Sequence, residues 1–340
     1  MIHTLKGNIP KEELGFTLPH EHILIDMISC VDEMPHPEFK GKITAENRYL
    51  MVSDPYYICE NAAYTDEAVA TYELNLYKKY GGCSIVDATP DDIGRDVRAL
   101  LRISDTTGVN IICGCGHYTD PSLSDKVREM TVSEMTEEIL SDLTVGIQGT
   151  DMKAGIIGEI GTSADITETE WKSVEAALTA SRETGAPIHF HTSLWEENGL
   201  EIIKMAKKIG CDLSKVCIDH IDVDLREDYC LNLLNEGVWI EFDNCGKEFF
   251  MPPRDHGKIR GKFAYDMERA VMIQKLFEKG FEDRILMTND ACLKTMLATY
   301  GGNGFMHIAR TMCPMLSYIG MSDSDIHCLT VTNPAEFLNF

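Results

Sequence analysis

Eight short apolar segments recur along this chain, and a stretch long enough for a helix separates most of them from the next. They are rich in β-branched residues, as strands are. The segments span Phe16–Ile25, Cys83–Ala88, Asn110–Cys115, Ala154–Ile160, Ala186–His191, Val216–His220, Val238–Phe242 and Arg284–Thr288. Alternation of strands and helices favours a parallel sheet, and eight strands close a barrel. The sequence therefore predicts an α/β protein, a (β/α)8 TIM barrel.

The intervening stretches repeat apolar residues with the period of an amphipathic helix. They include Asp66–Lys79, Ile93–Thr107, Val132–Leu143, Glu168–Thr184, Gly199–Ile209, Arg226–Glu236 and Tyr265–Lys279, with further helices expected around Phe305–Ile319 and Asp323–Leu329. No linker or repeat divides the chain, so we expect residues 1–340 to form a single domain with long loops at 27–62 and 244–262. The competing architecture, a doubly wound open sheet, lacks its Gly-x-Gly-x-x-Gly fingerprint after the first strand.

The net charge and the cysteines indicate which partners and which cellular compartment to expect. The formal net charge is −24; such a surface repels nucleic acid and anionic membranes, so we expect neither as a partner. Twelve cysteines are scattered without a Cys-x-x-Cys pair. We see neither a cleavable leader nor an apolar run of the roughly 18 residues that a membrane span needs. We therefore expect a cytoplasmic protein with free thiols.

Histidines and carboxylates cluster at the ends of the predicted strands. In Leu18-Pro19-His20-Glu21-His22, strand alternation places His20 and His22 on one face and Glu21 on the other. Four further side chains end strands 4, 5, 6 and 8: Glu159, His191, His220 and Asp290. The C-terminal ends of parallel strands meet at one face of a barrel, where active sites form. We therefore expect these six side chains to converge.

Six such ligands exceed what one zinc ion needs. They suit two divalent ions about 3.5–4 Å apart, joined by a carboxylate and a bridging hydroxide. We expect zinc, with manganese, iron or cobalt as alternatives, because histidine and carboxylate ligands accept them all. A hydroxide activated in this way is a nucleophile at neutral pH. The pattern thus predicts a metal-dependent hydrolase that attacks a carbonyl group.

The sequence resembles the phosphotriesterase family of the amidohydrolase superfamily, and most of all its branch of phosphotriesterase-related (phosphotriesterase homology) proteins. The likeness runs nearly end to end and is carried by Gly15–His22, Asp92–Asp96, Gly155–Gly161, His191-Thr192, His220, Asn289-Asp290 and Tyr300–Gly304. The resemblance implies that His20, His22 and Asp290 hold the more buried metal and that His191 and His220 hold the more exposed one. It also implies a homodimer and a phosphotriesterase-like lactonase, esterase or amidase.

The sequence departs from the family pattern at the metal bridge and along the proton path. Many family members bridge the metals with a carboxylated lysine, whereas Glu159 matches that position here, so we expect an unmodified glutamate bridge. The outward proton relay of the phosphotriesterases proper is also changed, because Val223 and Asn244 stand at its positions. Asp290 remains the expected general base and acid. Two nearby carboxylates could substitute in the relay: Asp222 and Asp243.

A basic loop indicates that the substrate carries a negative charge. Residues 244–262 hold five basic side chains against two acidic ones in a strongly negative chain. Loops after strands 7 and 8 of such barrels often bind phosphate, so we expect an anionic small molecule, with a solvated charged loop as the alternative. The candidate substrate-binding residues are Tyr118, Lys247, Arg254, Lys258, Arg260 and Lys294.

Three functions remain open from the sequence alone. The leading one is hydrolysis of a lactone, a carboxylic ester or an amide, including phosphorylated substrates. The second narrows this to an N-acyl amide hydrolase, which would depend sharply on Asp290 because an amide needs its leaving nitrogen protonated. The third is a metal-stabilised barrel that binds a small molecule without turnover.

Overall fold

The computed structural model describes residues 1–31, 40–250 and 261–340, and all eight predicted strands lie in one parallel sheet. We number only these strands. They are β1 Thr17–Glu21, β2 Ser84–Asp87, β3 Asn110–Cys115, β4 Ile156–Gly161, β5 Ile188–His191, β6 Val216–Ile218, β7 Trp239–Phe242 and β8 Ile285–Met287. Neighbours pair in chain order from β1 to β8. The predicted (β/α)8 barrel is confirmed.

One long helix lies in each connection between successive strands. These are α1 Glu67–Lys79, α2 Val97–Thr107, α3 Val132–Thr144, α4 Glu168–Thr184, α5 Gly199–Ile209, α6 Glu227–Asn235 and α7 Asp266–Glu278. Side-chain caps set where several begin: Thr131 and Thr167 each close a capping box with a glutamate three residues later. Shorter helices span Leu50–Ser53, Asp125–Glu129, Cys313–Tyr318, Asp323–His327 and Asn333–Leu338.

The larger differences between the structure and the prediction concern three elements. Strand β1 ends at Glu21, because Ile25–Asp26 pairs antiparallel with Ala63–Tyr64 instead of extending the barrel. Helix α2 begins only at Val97, since Gly94 adopts a left-handed φ of 96° just before it. The expected helix at 305–319 is a π-helical turn, Ile308–Met312, followed by Cys313–Tyr318.

Side chains join β1 to β8 and complete the barrel. Thr288 Oγ1 donates to the carbonyl oxygen of His20 at 3.1 Å. The buried Glu21 carboxylate accepts hydrogen bonds from Thr288 Oγ1, from the backbone and side chain of Asn289, and from the backbone of Ala291. Glu21 thereby fixes the backbone on both sides of Asp290.

An apolar layer fills the lower part of the barrel interior, towards the N-terminal ends of the strands. It includes Val86, Ile112, Ile156, Cys217, Trp239, Leu286 and Phe337, all buried. All twelve cysteines are free, as expected. Among the described residues, no helix combines the length and the apolar character that crossing a bilayer requires.

Candidate active site

The six predicted ligands lie together at the C-terminal ends of the strands, in two groups that share Glu159. In the first group, His22 Nε2 lies 3.2 Å from Glu159 Oε1 and 3.2 Å from Asp290 Oδ1. His20 Nε2 lies 3.5 Å from Glu159 Oε2. All four residues of this group are buried, so the group forms the floor of the site.

The second group lies nearer the surface. His191 Nδ1 is 3.1 Å from Glu159 Oε2 and 2.7 Å from His220 Nε2, and His220 Nε2 is 3.6 Å from Glu159 Oε2. The His191 side chain keeps 19% of its surface exposed, against 3% for His220. Glu159 is thus placed between a deeper and a more accessible group of ligands.

Unusual backbone conformations bring three of these side chains inward. His220 and Asp290 have φ angles of 61° and 44°, and among the other described non-glycine residues only Gln148 has a positive φ. A Cβ on Gly158 would lie 2.5 Å from the carbonyl oxygen of His189, so a glycine is needed just before Glu159. Backbone strain of this kind tends to occur at functional sites.

Hydrogen bonds on the outer side of two of the rings orient His22 and His220. Asp243 accepts from the backbone nitrogen of His220 at 2.8 Å and from its Nδ1 at 2.9 Å. Thr89 Oγ1 lies 2.8 Å from His22 Nδ1. In both rings Nε2 is left facing the cluster, as in metal-binding histidines. The other relay candidate, Asp222, pairs with Arg269 at 2.8 Å and does not line the cavity described below.

The residues present fit a pair of divalent ions. His20 Nε2 is fully buried yet has no hydrogen-bond partner, which is costly unless something else binds it. Contacts within the two groups place Glu159 3.1–3.6 Å from the four histidines. A tetrahedral zinc ion, with ligand bonds of 2.0–2.2 Å, separates its ligand atoms by about 3.3 Å. Both the donor atoms and their spacing therefore suit a binuclear metal site.

The electrostatics of the side chains in the site point the same way. Burial disfavours charge on His22, but Asp290 and Glu159 outweigh burial and raise its pKa to about 9. Burial raises the pKa of Glu159, but His20 and its neighbours outweigh that effect and hold it well below the usual range. The carboxylates of the cluster therefore stabilise positive charge beside them. Bound metal ions would supply that charge in place of the protons on the histidines.

A cavity of about 260 Å³ opens above the two groups. Its walls carry five aromatic side chains: Tyr56, Tyr118, Trp195, Phe249 and Phe263. The Phe263 ring packs edge-on against Trp195 and Phe249, with centroids 5.8 and 5.5 Å apart. Tyr118 Oη lies 3.2 Å from His191 Nδ1. The site therefore combines an apolar, aromatic wall with a polar floor.

The structure places two of the predicted substrate-binding residues in the cavity lining and a third outside it. Tyr118 and Lys247 line the cavity, and Lys247 is the only lysine or arginine among its described lining residues. Lys247 is buried and donates a hydrogen bond to Asp290. Lys294 does not line the cavity, and its Nζ lies 2.8 Å from Glu60 Oε1. The other three candidates fall outside the described residues: Arg254, Lys258 and Arg260.

Two buried acids beside His20 were not singled out from the sequence. Glu241 Oε2 and Asp219 Oδ2 lie 3.0 and 3.4 Å from His20 Nδ1. The available signal was an acidic residue within an otherwise apolar segment, at Val216–His220 and at Val238–Phe242. That signal is weak, because polar residues also alternate with apolar ones in ordinary half-exposed strands.

Clustered histidines and carboxylates at this end of a (β/α)8 barrel activate water for attack on a substrate. The protein therefore belongs to the class of metal-dependent hydrolases. The chain belongs to the phosphotriesterase family, whose model matches residues 1–338.

Characterised and solved relatives cover nearly the whole chain. It is 33% identical to an N-acetyltaurine hydrolase of Xenopus tropicalis, over 100% of this chain and 98% of the relative. A resiniferatoxin-binding protein from Rhodobacter sphaeroides is 33% identical, with a TM-score of 0.95 over 99% of this chain and 94% of the other. A lactonase from Listeria monocytogenes is 27% identical, with a TM-score of 0.81 over 100% and 99%. Amide, ester and lactone hydrolysis all fit these relatives and this site.

Proposed function

We propose that the protein hydrolyses the amide bond of a small N-acyl compound with water activated at a two-metal centre. The observation that carries this proposal is the position of Glu159, within 3.6 Å of a ring nitrogen of each of four histidines. We propose zinc as the metal and the whole chain, residues 1–340, as the catalytic domain. The proposed ligands are His20, His22, Glu159, His191, His220 and Asp290.

The bound ions would lower the pKa of water to about 7 and polarise the substrate carbonyl. Asp290 presents Oδ1 to His22, and its Oδ2 accepts a hydrogen bond from Lys247. A carboxylate in this position can take a proton from the attacking water and deliver it to the leaving nitrogen. Tyr118 Oη, close to His191, can donate a hydrogen bond to the carbonyl oxygen as charge builds on it.

Two observations favour an N-acyl amide that bears one negative charge. The chain is 33% identical over its full length to a relative named N-acetyltaurine hydrolase. Lys247 supplies the single fixed positive charge of the described cavity lining, and a carboxylate or sulfonate on the amine portion would be attracted to it. The aromatic wall then receives the apolar part of the substrate. A lactone or ester is the second candidate, favoured by the likeness to the Listeria lactonase.

A substrate panel on the zinc-loaded protein tests this proposal. The panel compares N-acetyltaurine and N-acetyl amino acids with their neutral amides, and adds matched methyl esters and lactones. We expect the anionic N-acetyl compounds to be preferred, and Asp290→Asn to lower kcat by about 10²–10⁴-fold.

The Lys294→Met variant is the matched control, because Lys294 lies outside the described cavity lining and should not affect turnover. Hydrolysis of lactones or esters alone would replace the amide proposal with the second candidate. No turnover of any class by fully loaded protein would favour the non-catalytic binding barrel.

A further inference from the structure

A fully buried polar layer lies one level below the proposed ligands inside the barrel. It consists of His189, Asp219 and Glu241, which we call the buried triad; none has measurable solvent exposure. His189 precedes His191 by two residues on β5, Asp219 precedes His220, and Glu241 lies on β7. The ring of Phe337, from the apolar layer, packs against His189 with centroids 5.1 Å apart.

The triad lies against one proposed metal ligand, His20. His20 Nδ1 lies 3.0 Å from Glu241 Oε2, within hydrogen-bond distance, and 3.4 Å from Asp219 Oδ2. His189 Nδ1 lies 2.8 Å from Asp219 Oδ1 and 3.5 Å from Glu241 Oε2. The two imidazoles therefore alternate with the two carboxylates, and each imidazole has one close carboxylate partner.

We propose that the buried triad positions His20 for metal binding, with Glu241 as the direct partner and the Asp219–His189 pair as its support. An ionised carboxylate only accepts hydrogen bonds, so Glu241 in its ionised form fixes the proton of His20 on Nδ1. The lone pair of the ring is then on Nε2, the atom that faces Glu159 and has no hydrogen-bond partner. Outer carboxylates of this kind also raise the basicity of a metal-binding histidine.

The cost of the triad supports a role of this kind. Two carboxylates are buried in the middle of a barrel whose next layer is apolar, and such burial costs several kcal/mol per ion, as an order of magnitude, before pairing offsets it. Apolar side chains would fill the same space more cheaply. One polar atom on each acid, Asp219 Oδ2 and Glu241 Oε1, still lacks a hydrogen-bond partner, and so does the Nε2 atom of each imidazole. The pairing within this layer therefore offsets its burial only in part.

A third cation in the triad is the competing interpretation, because one possible ligand atom from each residue of the triad and one from His20 all lie within 4.8 Å of one another. In that case both ring nitrogens of His20 would bind metal. The distances of 2.8 and 3.0 Å are instead those of N–H groups donating to carboxylates. The two interpretations predict different numbers of ions per chain and different protonation of His20.

The test compares Glu241→Gln, Glu241→Leu and Asp219→Asn in the full chain. Glu73→Gln is the matched control: Glu73 is also fully buried, but it binds the backbone of Ala298 and Thr299 away from the site. The readouts are zinc per chain by elemental analysis, the rate of zinc loss to a chelator, and the His20 tautomer from ¹⁵N-histidine NMR of the zinc-loaded protein.

We expect Glu241→Leu to lose zinc about 10–100-fold faster than the wild type and to lose the His20 Nδ1–H signal. Glu241→Gln, which keeps an acceptor oxygen, should restore part of both, and Glu73→Gln should match the wild type. If Glu241→Leu does not fold, Glu241→Gln and Asp219→Asn carry the test, and unchanged zinc loss in both would overturn the proposal. A third zinc per chain that disappears in these variants would also overturn it.

The inference rests on the ligand set proposed above but not on the substrate. Altered zinc retention without any hydrolysis would sustain the role of the triad and remove the proposed function. Hydrolysis by variants that lose zinc no faster than the wild type would sustain the proposed function and remove the role of the triad.

Discussion

Lys247, in the loop after β7, donates a buried hydrogen bond to Asp290, in the loop after β8. Burial alone would raise the pKa of Asp290, but the Lys247 ammonium and the nearby histidines outweigh it and lower that pKa below its ordinary range. Since Asp290 is the proposed proton acceptor, this contact with Lys247 would keep its carboxylate ionised and able to accept a proton.

Replacing Lys247 with methionine should raise the pH below which Asp290 is protonated. Without the ammonium the pKa of Asp290 rises, so the carboxylate becomes protonated, and activity is lost, at a higher pH than in the wild type. The measurement is the pH dependence of kcat/KM on a neutral and on an anionic substrate. An acid limb that stays in place would mean that the Lys247–Asp290 contact does not control the proton acceptor.

Lys294→Met should leave the KM for an anionic substrate within about twofold of the wild type, since Lys294 lies outside the described cavity lining and its Nζ is paired with Glu60. Lys247→Met should raise that KM by about tenfold or more, the loss expected when a buried charge partner is removed. Steady-state kinetics on the same substrate separate the two lysines. A large effect of Lys294→Met would place the substrate anion over the loop after β8.

The sequence predicted the barrel and the convergence of the six candidate ligands for one physical reason. Strand ends in a parallel barrel share a face, so the positions of His191, His220 and Asp290 at strand ends implied their proximity. The partners of charged residues did not follow from the sequence, because a charge pattern does not reveal which opposite charge folds nearby. The pairs Lys247–Asp290 and Lys294–Glu60 are therefore known only from the structure.

The two acids of the buried triad were missed for a related reason. Glu241 and Asp219 are separated from His20 by about 200 residues of sequence, and only the curvature of the barrel places them beside its ring. The short β1 strand was also overextended in the prediction. Leu24 and Ile25 continue its apolar pattern, but the antiparallel pairing of Ile25 with Tyr64 takes that segment away from the barrel.

Gly158→Ala should destabilise the protein much more than Gly185→Ala. Both glycines have a positive φ, 119° and 78°, so both substitutions introduce backbone strain. An added Cβ on Gly158 would lie 2.5 Å from the carbonyl oxygen of His189, whereas nothing lies within 4 Å at Gly185. Overpacking should cost Gly158→Ala about 1–3 kcal/mol more. Urea denaturation measures the difference, and equal losses would contradict the tight contact before Glu159.

Without its metals, the protein should become less stable as the pH rises. In the metal-free protein the pKa of His22 is raised from 6.5 to about 9 by Asp290 and Glu159 against the effect of burial. Its stabilising contribution is complete below pH 6.5 and is lost as the pH rises through 9. Zinc must displace this proton, so zinc binding should tighten over the same range.

Thermal melting between pH 6.5 and 9.5, with and without zinc, measures both effects. The Tm of chelator-treated protein should fall with rising pH, and the increase in Tm on adding zinc should grow. His22→Gln is the comparison variant, in which this part of the pH dependence should disappear. An increase in Tm on adding zinc that shrinks with pH would contradict the protonation assigned to His22.

Metal removal and stepwise return test the central claim most directly. The protein is stripped with a chelator, its metal content is measured, and hydrolysis is followed as zinc is added back in known amounts. Stripped protein should be inactive, and full activity should return only when two ions are bound per chain. Full activity in protein that holds no metal, or recovery complete at one ion per chain, would contradict a two-metal hydrolase built around Glu159.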